Sequence, residues 1–148
     1  MIMERILVDI HMTDCDDDHK ALACAIASAV DVFSRLKCDV VICIPLKGQA
    51  EGFLKKFISK ETIARMVGGK SWKMNGVTFW LESETTLKKS RRKGAIIAIH
   101  TTLLKLKAVE AMGFDAVIYV PMNGVDGEKW RASHGPQNVS VVPKRPPA

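Results

Sequence analysis

Apolar and polar residues alternate strictly at the start of the chain and then change period. In Ile6 to Met12, Ile6, Val8, Ile10 and Met12 share one face while Leu7, Asp9 and His11 share the other. That period of two predicts a strand. From about Asp16 to Lys37 the period lengthens to a helical one, with Leu22, Ile26, Val30, Phe33 and Leu36 in a stripe and an Ala-rich reverse side. Asp39 to Leu46 (DVVICIPL) is a continuous apolar run, as in a strand covered on both faces. Gly48 to about Val67 is the next predicted helix, stopped by Gly68 and Gly69.

The middle of the chain interrupts this rhythm. Ser71 to Met74, then Asn75-Gly76, then Val77 to Leu81 predicts a β-hairpin on a type I′ turn. Ser83 to Lys93 (SETTLKKSRRK) reads as a short basic helix or loop. Gly94 to His100 and Asp115 to Val120 are two further buried strands. Between them a helix runs to Met112, capped by Thr101 or Thr102 and stopped by Gly113. Pro121 to Pro136 reads as loop with one helical turn around Glu128 to Ala132, and Val139 to Val142 as an edge strand. Buried strands joined by helical crossovers define an α/β fold. The expectation is a single three-layer α-β-α domain over residues 1–142, with a mainly parallel, Rossmann-like sheet and an antiparallel β-hairpin extension at one edge. A Pro-rich tail follows at 143–148.

Composition narrows the class. At 148 residues, 47% apolar and 26% charged, the chain is of single-domain size and is neither disordered nor fibrous in type. The longest strongly apolar stretch, Ala21 to Val30, is about half of what a membrane span needs, so no membrane partner is expected. The amino terminus carries Glu4 and Asp9 within its apolar run and no small-residue cleavage site, unlike a secretory signal. Cys15, Cys24, Cys38 and Cys43 form no Cys-x-x-Cys, which fits a reduced, cytoplasmic chain. The Ala-rich helix and a sheet edge leave a homodimer open.

In folds of this class ligands collect outside the carboxyl ends of the strands. Four loops qualify: His11 to His19, Leu46 to Gln49, His100 to Thr102 and Pro121 to Gly127. The first, HMTDCDDDH, is acidic throughout. Asp9, His11, Asp14, Asp16, Asp17, Asp18 and His19 are candidate ligands for a divalent cation, the carboxylates suiting Mg²⁺ or Ca²⁺ and the histidines a transition metal. A metal held there would bind substrate and activate a water, as in a hydrolase. The competing reading is a helix start, since Asp favours caps and first turns.

DCDDDHKALA resembles the amino-terminal calcium motif of inosine-uridine nucleoside hydrolases. Asp17, Asp18, Ala21 and Leu22 match its later part, and Asp9 or Asp14 its earlier part. The resemblance implies a calcium site in a hydrolase. It covers about fifteen residues; His11 stands in place of the second early Asp, and the glycine of the turn is missing.

Other cofactor motifs are absent. No G-x-G-x-x-G follows the first strand, and Gly68-Gly69-Lys70-Ser71 follows a helix and so is not a P-loop. NAD and P-loop nucleotides are therefore disfavoured. No G-x-S-x-G elbow occurs, and no histidine is placed to serve a cysteine unless His11 or His19 serves Cys15. His100, Thr101 and Thr102 open a helix after a buried strand, where free amides suit an anion within reach of Lys47. Asn123 belongs to a long polar loop at the same end, and Trp130 beyond it either covers that site as a lid or packs. Lys88, Lys89, Arg91, Arg92 and Lys93, beside Trp72, Phe79 and Trp80, pair cations with aromatics as single-strand nucleic-acid binders do.

Charge is unevenly spread. Residues 1–18 hold six acids and one base, whereas the whole chain has 22 bases against 16 acids and a net charge of +6. The first expectation is a non-catalytic binding or accessory protein for a small anionic ligand or a protein partner. The alternatives are a divalent-metal-dependent hydrolase using the Asp-rich loop and a basic nucleic-acid-binding adaptor.

Overall fold

A computed structural model of the chain describes residues 3–9 and 17–140. Its elements are β1 (Glu4–Asp9), α1 (Asp17–Leu36), β2 (Val40–Ile44), α2 (Ala50–Leu54), α3 (Lys60–Val67), β3 (Trp72–Met74) and β4 (Val77–Ser83). There follow α4 (Glu84–Leu87), β5 (Ala95–Ile99), α5 (Leu103–Glu110), β6 (Ala116–Val120), α6 (Gly124–His134) and β7 (Gln137–Ser140). The seven strands form one sheet in the order β3-β4-β2-β5-β6-β1-β7. Only the β3–β4 pair is antiparallel. It is the expected hairpin at one edge, with Asn75 and Gly76 both at positive φ (52° and 79°), as a type I′ turn requires.

Two cores flank the sheet and make the three layers. Ile6, Val8, Ile42, Phe79, Ile97 and Ile118 face α1, α2 and α3. Leu7, Val41, Cys43, Ile96 and Tyr119 face the side of Leu87, Leu106, Val109 and Trp130, which come from α4, α5 and α6. β2, β5 and β6 bury every residue, because each is central and covered on both sides. Each fully buried Val or Ile contributes about 1.5–3 kcal/mol through removal from water.

The helices depart from the sequence pattern in instructive ways. In α1 the deepest residues are Ala21, Ala25, Ala29 and Val32, all at 0% exposure. Small side chains there let the helix lie close to the sheet. Val30, Phe33 and Leu36, expected in the central stripe, are only half-buried at its shoulder. The single helix expected over Gly48 to Val67 is broken. A 3-10 turn at Lys47–Gln49 leads into α2, and α3 starts anew where the Ser59 hydroxyl accepts from the Thr62 amide. Ile58 turns inward at the break, at 4% exposure, so burial and a cap together outweigh helix continuity.

The loop expected at Pro121 to Pro136 is mostly the eleven-residue helix α6, capped by Asn123, whose side chain accepts from the Asp126 amide. β7 covers the first half of the expected edge strand, pairs in parallel with β1 and lies at the sheet's edge. Residues 141–142 of that strand and the tail at 143–148 lie outside the described residues. Among the described residues, no helix is long and apolar enough to cross a membrane.

The strand order creates one divergence that matters. β2 and β5 are neighbours, yet the chain leaves β2 over the α2–α3 face toward β4 and leaves β5 over the opposite face toward β6. Crossovers that part in this way leave a crevice at the carboxyl ends of the two strands.

Candidate functional site

At that crevice the chain makes a strained turn. His100, directly after β5, has φ of 55°, the left-handed region that a non-glycine residue enters at a cost of order 1 kcal/mol. Its amide donates to the Val120 carbonyl at 2.8 Å, tying the end of β5 to the end of β6. The turn sends consecutive residues to different places. The His100 ring stacks edge-on against Phe53 of α2, with centroids 5.2 Å apart. Thr101 goes into the α4–α6 side, and Thr102 caps α5 by accepting from the Lys105 amide at 3.3 Å.

Thr101 is the residue that stands out. It is 2% exposed, and its Oγ1 is, among the described residues, the one buried side-chain polar atom with no hydrogen-bond partner. Its backbone is held firmly, since the buried Tyr119 hydroxyl donates to the Thr101 carbonyl at 2.7 Å. Tyr119 is in turn braced edge-on by the Trp130 ring, 5.4 Å away. An unsatisfied buried hydroxyl costs about 1–3 kcal/mol.

Thr101 is one of the residues lining a cleft of about 430 Å³ between α4 and α5, although its hydroxyl is itself closed off from the cleft. Apolar side chains dominate its walls: Leu46, Leu87, Leu104, Val109 and Met112, with Cys43 also lining it. α4 is set by a reciprocal cap, in which the Ser83 hydroxyl accepts from the Thr86 amide and Thr86 Oγ1 accepts from the Ser83 amide. That places Glu84 on the first turn, where its Oε1 meets Lys105 Nζ at 2.7 Å. The ion pair therefore joins the two walls. Lys88, directly after α4, also lines the cleft and is exposed. Leu46 and Leu104 are 61% and 81% exposed.

Burial pushes the Cys43 thiol up to about 12, with the carboxylates of Glu84 and Glu82 adding to the effect. The thiol is therefore neutral at ordinary pH and behaves as a small apolar group. Burial likewise raises the Tyr119 phenol, with Asp126 contributing.

In two other depressions several of the polar side chains pair with one another. One of about 640 Å³ lies between α5 and α6. Its Glu110 pairs with Arg5 at 2.5 Å and stands 3.5 Å from Trp130 Nε1 and 3.7 Å from His134 Nε2. The other, about 490 Å³, is lined by Asp39, Glu82, Arg91, Arg92 and Lys93. There Arg92 stacks 3.5 Å from the Trp80 ring centre and lies 3.5 Å from Glu82, while the Trp80 N–H donates to Asp39 at 3.1 Å.

The residues nominated from sequence are distributed as follows. Lys47 reaches the carboxyl end of α3, with Nζ 3.5 Å from the Val67 carbonyl, and so sits with His100 on the α1–α3 side. Thr101 lies across the sheet from them, in the cleft. Asn123 is the cap of α6. Asp9 ends β1, and Asp17, Asp18 and His19 open α1. His11, Asp14 and Asp16 lie outside the described residues. Among the described residues no three His, Cys, Asp or Glu side chains converge as a metal site would require. In the basic run, Arg92 covers Trp80 and Lys93 donates to the Met112 carbonyl. Phe79 is fully buried and Trp72 packs on it at 4.9 Å, so these aromatics serve the core.

Sequence reasoning missed Glu84, Leu87, Leu104, Lys105 and Val109 as cleft residues. The Ser83-Glu84-Thr85-Thr86 spacing was the available signal for where α4 begins. No known protein-family model matches the chain, and no curated protein matches it.

Proposed function

We propose that this protein is a binding or accessory module that holds a small molecule, without converting it, in the cleft between α4 and α5. The observation that carries this reading is the cleft itself, which lies at the switch point, is walled by Leu46, Leu87, Leu104, Val109 and Met112, and is spanned by the Glu84–Lys105 ion pair. A volume of about 430 Å³ falls within the range of small-molecule sites.

The chemistry of the walls favours holding over reacting. Burial keeps the Cys43 thiol protonated, and Glu84 is engaged by Lys105. Cys24, Cys38 and Cys43 are thiols, which supports a reducing compartment and a cytoplasmic location.

The test is a fragment screen by thermal melting on the native chain and on Ala108→Trp. Ala108 lines the cleft and is exposed, so the indole fills the space without disturbing the core. Fragments that raise the midpoint of the native protein should lose that effect in the variant. Fragments that act equally on both, or a library without a hit on the native chain, would overturn the reading.

A further inference from the structure

We infer that the chain carries a second binding surface, apart from the cleft, for single-stranded nucleic acid. There the stacked pair of Trp80 and Arg92 takes an unpaired base, and the basic run beside it holds the phosphates.

Strand register places the surface. Lys73 pairs with Thr78 and Trp80 with Val41, so these residues share the sheet face that α4, α5 and α6 cover elsewhere. The core on that face takes no residue from β3 or β4, whereas the opposite core buries Val77, Phe79 and Leu81 of β4. This end of the face is therefore open: Lys73 is exposed, and Thr78 and Trp80 are half-buried. What lies over Trp80 is the Arg92 guanidinium, 3.5 Å from the ring centre, the separation of stacked planes. The Arg92 side chain stays 36% exposed, which leaves its outer plane to a further flat group. Unpaired bases stack on guanidinium planes and aromatic rings, while the bases of a duplex are already stacked on one another.

Charge gives the polarity of the ligand. Lys73, Lys88, Lys89, Arg91, Arg92 and Lys93 stand on β3 and on the α4–β5 connection, against the carboxylates of Asp39 and Glu82. Both acids are engaged. Asp39 accepts the Trp80 N–H, and Glu82 accepts from Thr86 Oγ1 at 2.7 Å and lies 3.5 Å from Arg92. Lys88, Lys89 and Arg91 are exposed and have no ion-pair partner among the described residues. Their backbone is nonetheless tied down. The Lys89 and Ser90 amides donate to the Thr86 carbonyl at 3.1 Å, and the Ser90 hydroxyl accepts from the Arg92 amide at 3.1 Å. Unpaired cations on a backbone held in this way complement a phosphate chain. An acidic peptide would satisfy the charge alone; the stack adds the preference for bases.

Anisotropy of labelled oligothymidylate and oligouridylate, each of about ten residues, tests this at low salt. The native chain should bind, the tighter of the two naming DNA or RNA. Affinity should fall with salt at a log–log slope of about −2, the mark of about three phosphate contacts. The double variant Lys89→Ala/Arg91→Ala should bring that slope to about −1. Arg92→Lys keeps the charge but loses the plane, so it should preserve the slope and weaken binding about tenfold. On the native chain an abasic strand of equal length should bind about tenfold more weakly, and a duplex more weakly than the single strand. Absence of binding at low salt overturns the inference. Equal binding of the abasic strand or of polyglutamate does so too, since the face would then take any polyanion, as does tighter binding of the duplex. None of these results bears on the cleft, and failure of the fragment screen leaves this surface standing.

Discussion

Two residues show how sharply single positions are fixed. Gly94 precedes β5 at φ of 107°, and a Cβ there would lie 2.3 Å from the Asp39 carbonyl oxygen. Neither the backbone conformation nor the space tolerates a side chain. Gly94→Ala is therefore expected to cost about 2 kcal/mol or more, read as a lower midpoint in urea; a loss under about 0.5 kcal/mol would show that the turn relaxes. Thr101 points the other way. Replacing an unsatisfied buried hydroxyl by a methyl of similar shape removes a penalty, so Thr101→Val should leave the unliganded protein as stable or up to about 1 kcal/mol more stable. A loss of about 1 kcal/mol would mean that the hydroxyl has a partner. From sequence, Thr101 and Thr102 are indistinguishable as caps. The left-handed φ at His100 separates their roles, and nothing in a His-Thr-Thr string announces it.

Elements were legible where periodicity was long and unbroken. The apolar runs of β2, β5 and β6 mark them as doubly covered strands, and Asn75-Gly76 marks the hairpin. The helices on either side of short breaks were not legible, because breaks depend on local hydrogen bonds rather than on pattern. In α6, Asn-Gly and Asp-Gly read as turns, yet Asn123 caps the helix and Gly127 is needed inside it. A Cβ at Gly127 would press on Pro121 Cγ at 3.2 Å, where α6 crosses Leu7 of β1. The cap reading of Asn123 has a definite consequence. Asn123→Ala should destabilise the protein by about 1 kcal/mol without altering ligand binding in the cleft. A variant of native stability with weakened binding would instead make Asn123 a ligand contact.

On the scale of the whole molecule, the three-layer plan follows from alternating buried strands and amphipathic helices, but the strand order does not. Parallel strands with helical crossovers can be ordered in several ways, and it is the placing of β2 beside β5 that opens the cleft. The cleft also couples the fold to pH. The folded state holds the Cys43 proton up to about 12, whereas an unfolded thiol releases it near 9. Between those values the unfolded state binds fewer protons, so stability falls as pH rises, by up to about 1.4 kcal/mol per pH unit from this group. Tyr119, also raised, acts in the same direction. Urea midpoints from pH 8 to 10 should therefore fall less steeply for Cys43→Ala than for the native chain, though the variant starts lower because it leaves a cavity. Equal slopes would show that Cys43 meets solvent in the folded state.

The most direct measurement is a map of amide shifts on the labelled native protein as a fragment that raises its melting midpoint is added. Shifts confined to Cys43–Leu46, Glu84–Lys88 and Thr101–Met112 are the expected result, from the two helices and the strand end that wall the cleft. Shifts centred instead on Asp39 and Arg92, or on Trp130 and His134, would place the binding site elsewhere and contradict the assignment of the switch-point cleft.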